Sequence, residues 1–175
     1  MNSQNFVEIT SYLISMIDYE NLNYISDVIF KLRNGRIFLI GNGGSAYSAS
    51  HFAQDLVKAC GISAESLVDN IGLVTAISND DDYSYVFSKQ LDIKYRDGDL
   101  LIAISCSGSS KNILEACKGR KVISFTSGNG GELKKLSLNV NVPTKDIYIA
   151  EGIHSLLLHY IIENLQERKA HAVPN

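Results

Sequence analysis

Two short stretches of this 175-residue chain carry residue types suited to holding an anion. The first is Gly41-Asn42-Gly43-Gly44-Ser45. Its glycines let the backbone approach a ligand closely, and Ser45 is placed to cap a following helix. The N–H groups that open such a helix then face the anion. The second stretch is Ser105-Cys106-Ser107-Gly108-Ser109-Ser110, whose four hydroxyls can each donate to an anionic oxygen. No Gly-Lys-Ser/Thr follows the glycines, and the dinucleotide fingerprint lacks its third glycine, so nucleoside triphosphates and dinucleotides are disfavoured. Taken together the two loops predict a phosphate site. The plain alternatives are a tight turn and an ordinary serine-rich loop.

Acid–base and metal-ligating candidates come next. His51 and Asp55 are four residues apart, on one face of the helix expected after the glycine loop. Glu151, His154 and His159 fall on or near a last helix, among Ile153, Leu156, Leu157, Leu158, Ile161 and Ile162. A lone His in such a helix is usually a packed core residue, and Asp55 or Glu151 alone is an ordinary surface carboxylate. Two His and two carboxylates nonetheless form a set suited to zinc or a similar divalent ion. Helix geometry limits it: Glu151 and His159 would stand ~12 Å apart along a continuous helix. They share one ion only if Glu151 precedes the helix or a neighbouring subunit supplies one of them.

Several elements must position these residues. Ile37–Ile40, Leu100–Ile104 and Val122–Phe125 are short apolar runs of the kind buried on both faces of a parallel sheet. A weaker run covers Leu138–Val142. Helical stretches are expected over Ala46–Cys60, Asp82–Tyr95, Lys111–Cys117 and Ile149–Glu167, with a short turn at Glu132–Leu136 and a frayed tail from Lys169 to Asn175. Strands alternating with helices require crossovers, which predicts an α/β three-layer sandwich around a central parallel sheet. Phe6–Leu32 has helical periodicity in two segments interrupted near Tyr19–Asn23. Its apolar residues exceed what one face needs, which predicts an oligomer interface.

Composition narrows the function classes. With 16 basic and 19 acidic residues the net charge is −3, which disfavours a polyanion such as nucleic acid as main ligand. No apolar run reaches membrane-spanning length, and no secretory leader is expected at the N-terminus. Three cysteines without CxxC spacing predict a reduced, cytoplasmic setting. One domain is expected over residues 1–175: added N-terminal helices to 34, an α/β core over 35–168, and a tail.

Gly41–Ser45, His51-Phe52-Ala53, Asn79-Asp80, Gly98-Asp99-Leu100, Ile104–Ser110 and the helix with His154 and His159 occur in an order that resembles the sugar isomerase (SIS) domain family. Within it the chain is similar to the phosphoheptose isomerases, over nearly its whole length. The resemblance implies a flavodoxin-like parallel sandwich, usually tetrameric, with the N-terminal helices at the centre. It implies conversion of D-sedoheptulose 7-phosphate to D-glycero-D-manno-heptose 7-phosphate through an enediol, for cell-surface polysaccharide such as lipopolysaccharide or capsule. Phosphate and sugar contacts are implied for Asn42, Gly43, Gly44, Ser45, Ser105, Cys106, Ser107, Ser110 and Glu151, with Asp55 and Asp80 nearby. The acid–base pair is implied at Asp55 and His159, and zinc among His51, Asp55, Glu151 and His159. Three positions depart from the family pattern: Asp55 where Glu is usual, Glu151 for Gln, and Cys106 for a hydroxyl residue. Two other functions compete. One is isomerisation of a different phosphosugar. The other is a non-catalytic SIS tetramer that binds a replication initiator, and retention of the Asp55 carboxylate argues against it.

Overall fold

The computed structural model of the chain describes residues 3–32, 34–136 and 138–172. Five strands, β1 (Ile37–Gly41), β2 (Ala64–Ser66), β3 (Leu100–Ile104), β4 (Val122–Ser127) and β5 (Leu138–Val142), form a parallel sheet in the order β2-β1-β3-β4-β5. The helices are α1 (Ser3–Ser15), α2 (Tyr19–Phe30), α3 (Gly44–Lys58), α4 (Ile71–Asp80), α5 (Ser88–Lys94), α6 (Lys111–Cys117) and α7 (Ile147–Ala172). This is the expected three-layer sandwich.

Alternation along the strands explains the layers. Ile37 and Leu39 of β1 join Leu100, Ile102 and Ile104 of β3 in one core, beneath α2, α3 and α7. Phe38 and Ile40 point the other way, with Leu101 and Ala103, into a second core covered by α5 and α6. A strand buried on both faces has no polar side to show, which is why these runs read as continuous apolar segments. Asp99 ties the strand starts together: its carboxylate accepts from the backbone N–H of Arg36 at 2.7 Å and of Arg96 at 2.9 Å.

Several boundaries differ from the sequence expectation. The break between the first two helices falls at Met16–Asp18, because the Asp18 carboxylate accepts from Asn21 N–H and starts α2 there. The single helix expected over Asp82–Tyr95 is a 3₁₀ turn at Tyr83–Tyr85 followed by α5, with Asp82 accepting from Ser84 N–H. β2 and α4 went unanticipated. The last helix is longer than expected, so Lys169–Ala172 are helical, while residues 173–175 of the expected tail lie outside the described residues. Among the described residues no helix is long and apolar enough to cross a membrane.

The chain runs from β1 to β2 on one side and then returns to place β3 on the other side of β1. This reversal between β1 and β3 opens a crevice at their carboxyl ends, the usual ligand position in an open α/β sheet. Gly41–Ser45 leaves β1 and Ser105–Ser110 leaves β3. Both loops therefore flank the same crevice.

Candidate active site

α3 and α7 lie side by side, and between them is a cavity of about 360 Å³. That volume falls within the range of ordinary small-molecule sites. On α3 its lining includes Gly44, Ser48, His51 and Asp55, which share one face at spacings of three and four. On α7 it includes Glu151, Ser155 and His159, again one face at i, i+4, i+8. The hydroxyls of Ser48 and Ser155 meet across the helices at 3.1 Å.

His51, Asp55 and His159 converge at the far end of this cavity. The Nε2 atoms of the two histidines are 3.2 Å apart, and Asp55 Oδ2 lies 3.1 Å from His51 Nε2 and 3.7 Å from His159 Nε2. All three donor atoms fall within 4.8 Å of one another. Two ligands of a tetrahedral zinc ion stand ~3.3 Å apart, so the spacing of this trio fits such an ion. Both imidazoles are about half exposed while Asp55 is largely covered, so the cluster is open to a ligand on the histidine side.

Glu151 lines the same cavity but is not one of that trio. It lies within α7 rather than before it, so two helical turns, ~12 Å of rise, separate it from His159 along the axis. Its carboxylate instead abuts Gly44, so a Cβ at that position would push the Glu151 side chain aside.

At the strand-end loops one expectation is corrected. Ser45 does not cap α3. The helix begins at Gly44, two residues earlier than expected, with Gly43 in the capping position and no side-chain cap, and Ser45 is buried inside the first turn. The hydroxyl of Ser127 donates to the Cys106 carbonyl at 3.2 Å. Burial, and then the Glu151 charge, push the Cys106 thiol above its ordinary pKa, so it stays neutral. Ser105 is buried, Ser107 Oγ accepts from Ser109 N–H at 3.3 Å, and Ser110 precedes α6 without capping it. Gly108 has φ +60°, and a side chain on it would strike the backbone of Gly130, so the hydroxyl loop is held flat against that turn.

Two candidates fall apart from the cluster. Asp80 ends α4, is exposed, and accepts from the side chain of its neighbour Asn79 at 2.8 Å. His154 is fully buried against the sheet, its Nε2 2.9 Å from the Thr126 carbonyl. Burial lowers its pKa to about 4, so it is a neutral packed residue. Sequence reasoning passed over Tyr47, Ser48 and Ser155, which line the cavity. The helical spacing from His51 and His159 was the available signal for the two serines.

Residues 9–127 match the SIS domain family. A phosphoheptose isomerase of Helicobacter pylori (strain P12) is 37% identical over 148 residues, covering 78% of this chain and 77% of that protein. The chain belongs to the phosphoheptose isomerase family of SIS-domain proteins. The phosphoheptose isomerase of Thermodesulfovibrio yellowstonii is likewise 37% identical, over 85% of this chain and 82% of its own. The structure of phosphoheptose isomerase GmhA from Neisseria gonorrhoeae superposes with a TM-score of 0.85 at 29% identity, covering 93% of this chain and 94% of that one.

Proposed function

We infer that this protein is a phosphoheptose isomerase, interconverting D-sedoheptulose 7-phosphate and D-glycero-D-manno-heptose 7-phosphate for a cell-surface polysaccharide. The observation that carries the reading is the convergence of Asp55, His51 and His159 in one cavity beside the phosphate-type loops of β1 and β3. A non-catalytic assembly protein has no need of such a trio.

The substrate's phosphate is held by the hydroxyls of Ser105, Ser107 and Ser110 with Asn42, Gly43 and Ser45 alongside, since a buried dianion needs many donors. Glu151, midway along the cavity, accepts from sugar hydroxyls. At the far end Asp55 takes a proton from C1, next to the C2 carbonyl, while His159 protonates the C2 oxygen. The proton then returns to C2 as the O1 proton leaves, giving the aldose. His51, Asp55 and His159 are the residues that would hold a zinc or similar ion, which would polarise the carbonyl and offset charge developing on oxygen. Asp80 has no part in this scheme unless a second subunit covers it.

We further propose a homotetramer with α1 and α2 buried at its centre, acting in the cytoplasm. The test of the function is turnover of a panel of phosphorylated ketoses by the purified protein. Sedoheptulose 7-phosphate is expected to give the highest kcat/KM. A pentulose or hexulose phosphate turned over faster would move the protein to another phosphosugar isomerase activity.

A further inference from the structure

The loops that leave β1 and β3 are joined by a side-chain clasp. Asn112, in the first turn of α6, is only 3% exposed, and its Oδ1 accepts from the backbone N–H of Ile113 at 3.0 Å. A backbone N–H only donates, so the amide orientation of Asn112 is set by the helix itself. Its Nδ2 donates to Asn42 Oδ1 at 2.8 Å, and Asn42 Nδ2 donates back to Asn112 Oδ1 at 3.0 Å. The hydroxyl of Tyr83, from the 3₁₀ turn, donates to the same Asn42 Oδ1 at 2.9 Å. Both lone-pair positions of Asn42 Oδ1 are then occupied, and one of its two N–H groups is used. What Asn42 has left to offer is a single N–H donor.

We propose that Asn112 and Tyr83 are positioning residues that hold the Asn42 amide so that it offers the phosphosugar a donor and never a lone pair. A phosphate oxygen or a sugar oxygen acting as acceptor is what such a group recognises. A flipped amide would turn its own oxygen toward that acceptor and repel it. The clasp also fixes the distance between the two loops, because Asn42 follows β1 and Asn112 belongs to the helix after β3. The sequence hides it: 70 residues separate the two asparagines, and nothing in their spacing marks them as partners.

The inference rests on the substrate sitting at these loops, and a double-mutant cycle separates the two claims. Steady-state kinetics with sedoheptulose 7-phosphate are measured for Asn42→Ala, Asn112→Ala, Tyr83→Phe and the pairs that include Asn42→Ala. Asn42→Ala is expected to raise KM about tenfold with kcat within about twofold, as loss of uniform binding does. Asn112→Ala is expected to raise KM by a similar factor and Tyr83→Phe by about threefold, each a fraction of one hydrogen bond's worth. In the Asn42→Ala background neither adds more than about twofold, because both act through Asn42. Should Asn112→Ala fold poorly, Tyr83→Phe, which removes one hydroxyl from a half-exposed ring, carries the cycle alone. Effects that multiply with that of Asn42→Ala, or that fall on kcat or Tm with KM unmoved, overturn the clasp's role while the substrate reading stands. An unchanged KM in Asn42→Ala puts the substrate elsewhere and overturns both.

Discussion

Two duties are proposed for Asp55, whose Oδ2 is close to both His51 and His159: ligand to a metal ion and base of the proton transfer. Asp55→Asn separates these duties, since it keeps shape and hydrogen bonding but loses basicity. If Asp55 is the base, kcat falls by roughly 10²–10⁴-fold at unchanged metal content. If it is chiefly a ligand, bound metal measured by atomic emission falls with activity, and added zinc restores part of both. Retained full turnover contradicts either duty. Asp55→Glu should be tolerated, since its carboxylate reaches one methylene further toward the same cavity. The histidine and carboxylate chemistry was legible in the sequence because α3 and α7 present their residues at helical spacing. The meeting of His51 with His159 was not, because 108 residues separate them and only the packing of α3 on α7 brings them to 3.2 Å.

At the scale of elements, α7 divides its labour by face. Glu151, Ser155 and His159 face the cavity, while Ile153, His154, Leu157 and Ile161 pack on the sheet. His154 makes that packing sensitive to acid. Its pKa is about 4 in the fold, through burial, against ~6.5 in an unfolded chain, so the unfolded chain binds the proton more readily. The stability it supports is therefore full above pH ~6.5 and is lost as pH falls toward 4. His154→Gln keeps a donor for the Thr126 carbonyl but does not titrate. Its Tm is expected to be lower at neutral pH and to fall less steeply than the parent's between pH 6.5 and 4. Parallel Tm–pH curves would contradict this. The apolar runs of β1, β3 and β4 were readable because burial on both faces leaves no alternation to decipher. β2 was not, since it is a three-residue edge strand of Ala, Glu and Ser with little apolar signal. The α3 start was misjudged for a related reason: the glycines let the chain enter the helix two residues before the expected start, without a side-chain cap.

For the whole molecule, two apolar surfaces stay exposed on the single chain. α1 buries only Leu13 and exposes Phe6, Val7, Ile9 and Tyr12, and α4 buries none of its residues although Ile71 and Leu73 are exposed on it. Exposed apolar area of this extent is unusual for a monomer. Sedimentation at micromolar concentration is expected to give a tetramer, and Val7→Asp with Tyr12→Asp to shift it to smaller species; a stable parent monomer contradicts the assembly. Composition and periodicity pointed to this surface at the N-terminal helices but not at α4, a helix that the sequence pattern did not reveal. Most direct for the account as a whole is solvent exchange in deuterium oxide. Sedoheptulose 7-phosphate is incubated with the protein and followed by proton NMR. The account predicts deuterium at C1 of recovered ketose and at C2 of the aldose, with the rate in Asp55→Asn and His159→Ala reduced by roughly 10²-fold or more. Exchange that proceeds undiminished in both variants, or is absent from the parent protein, would contradict it.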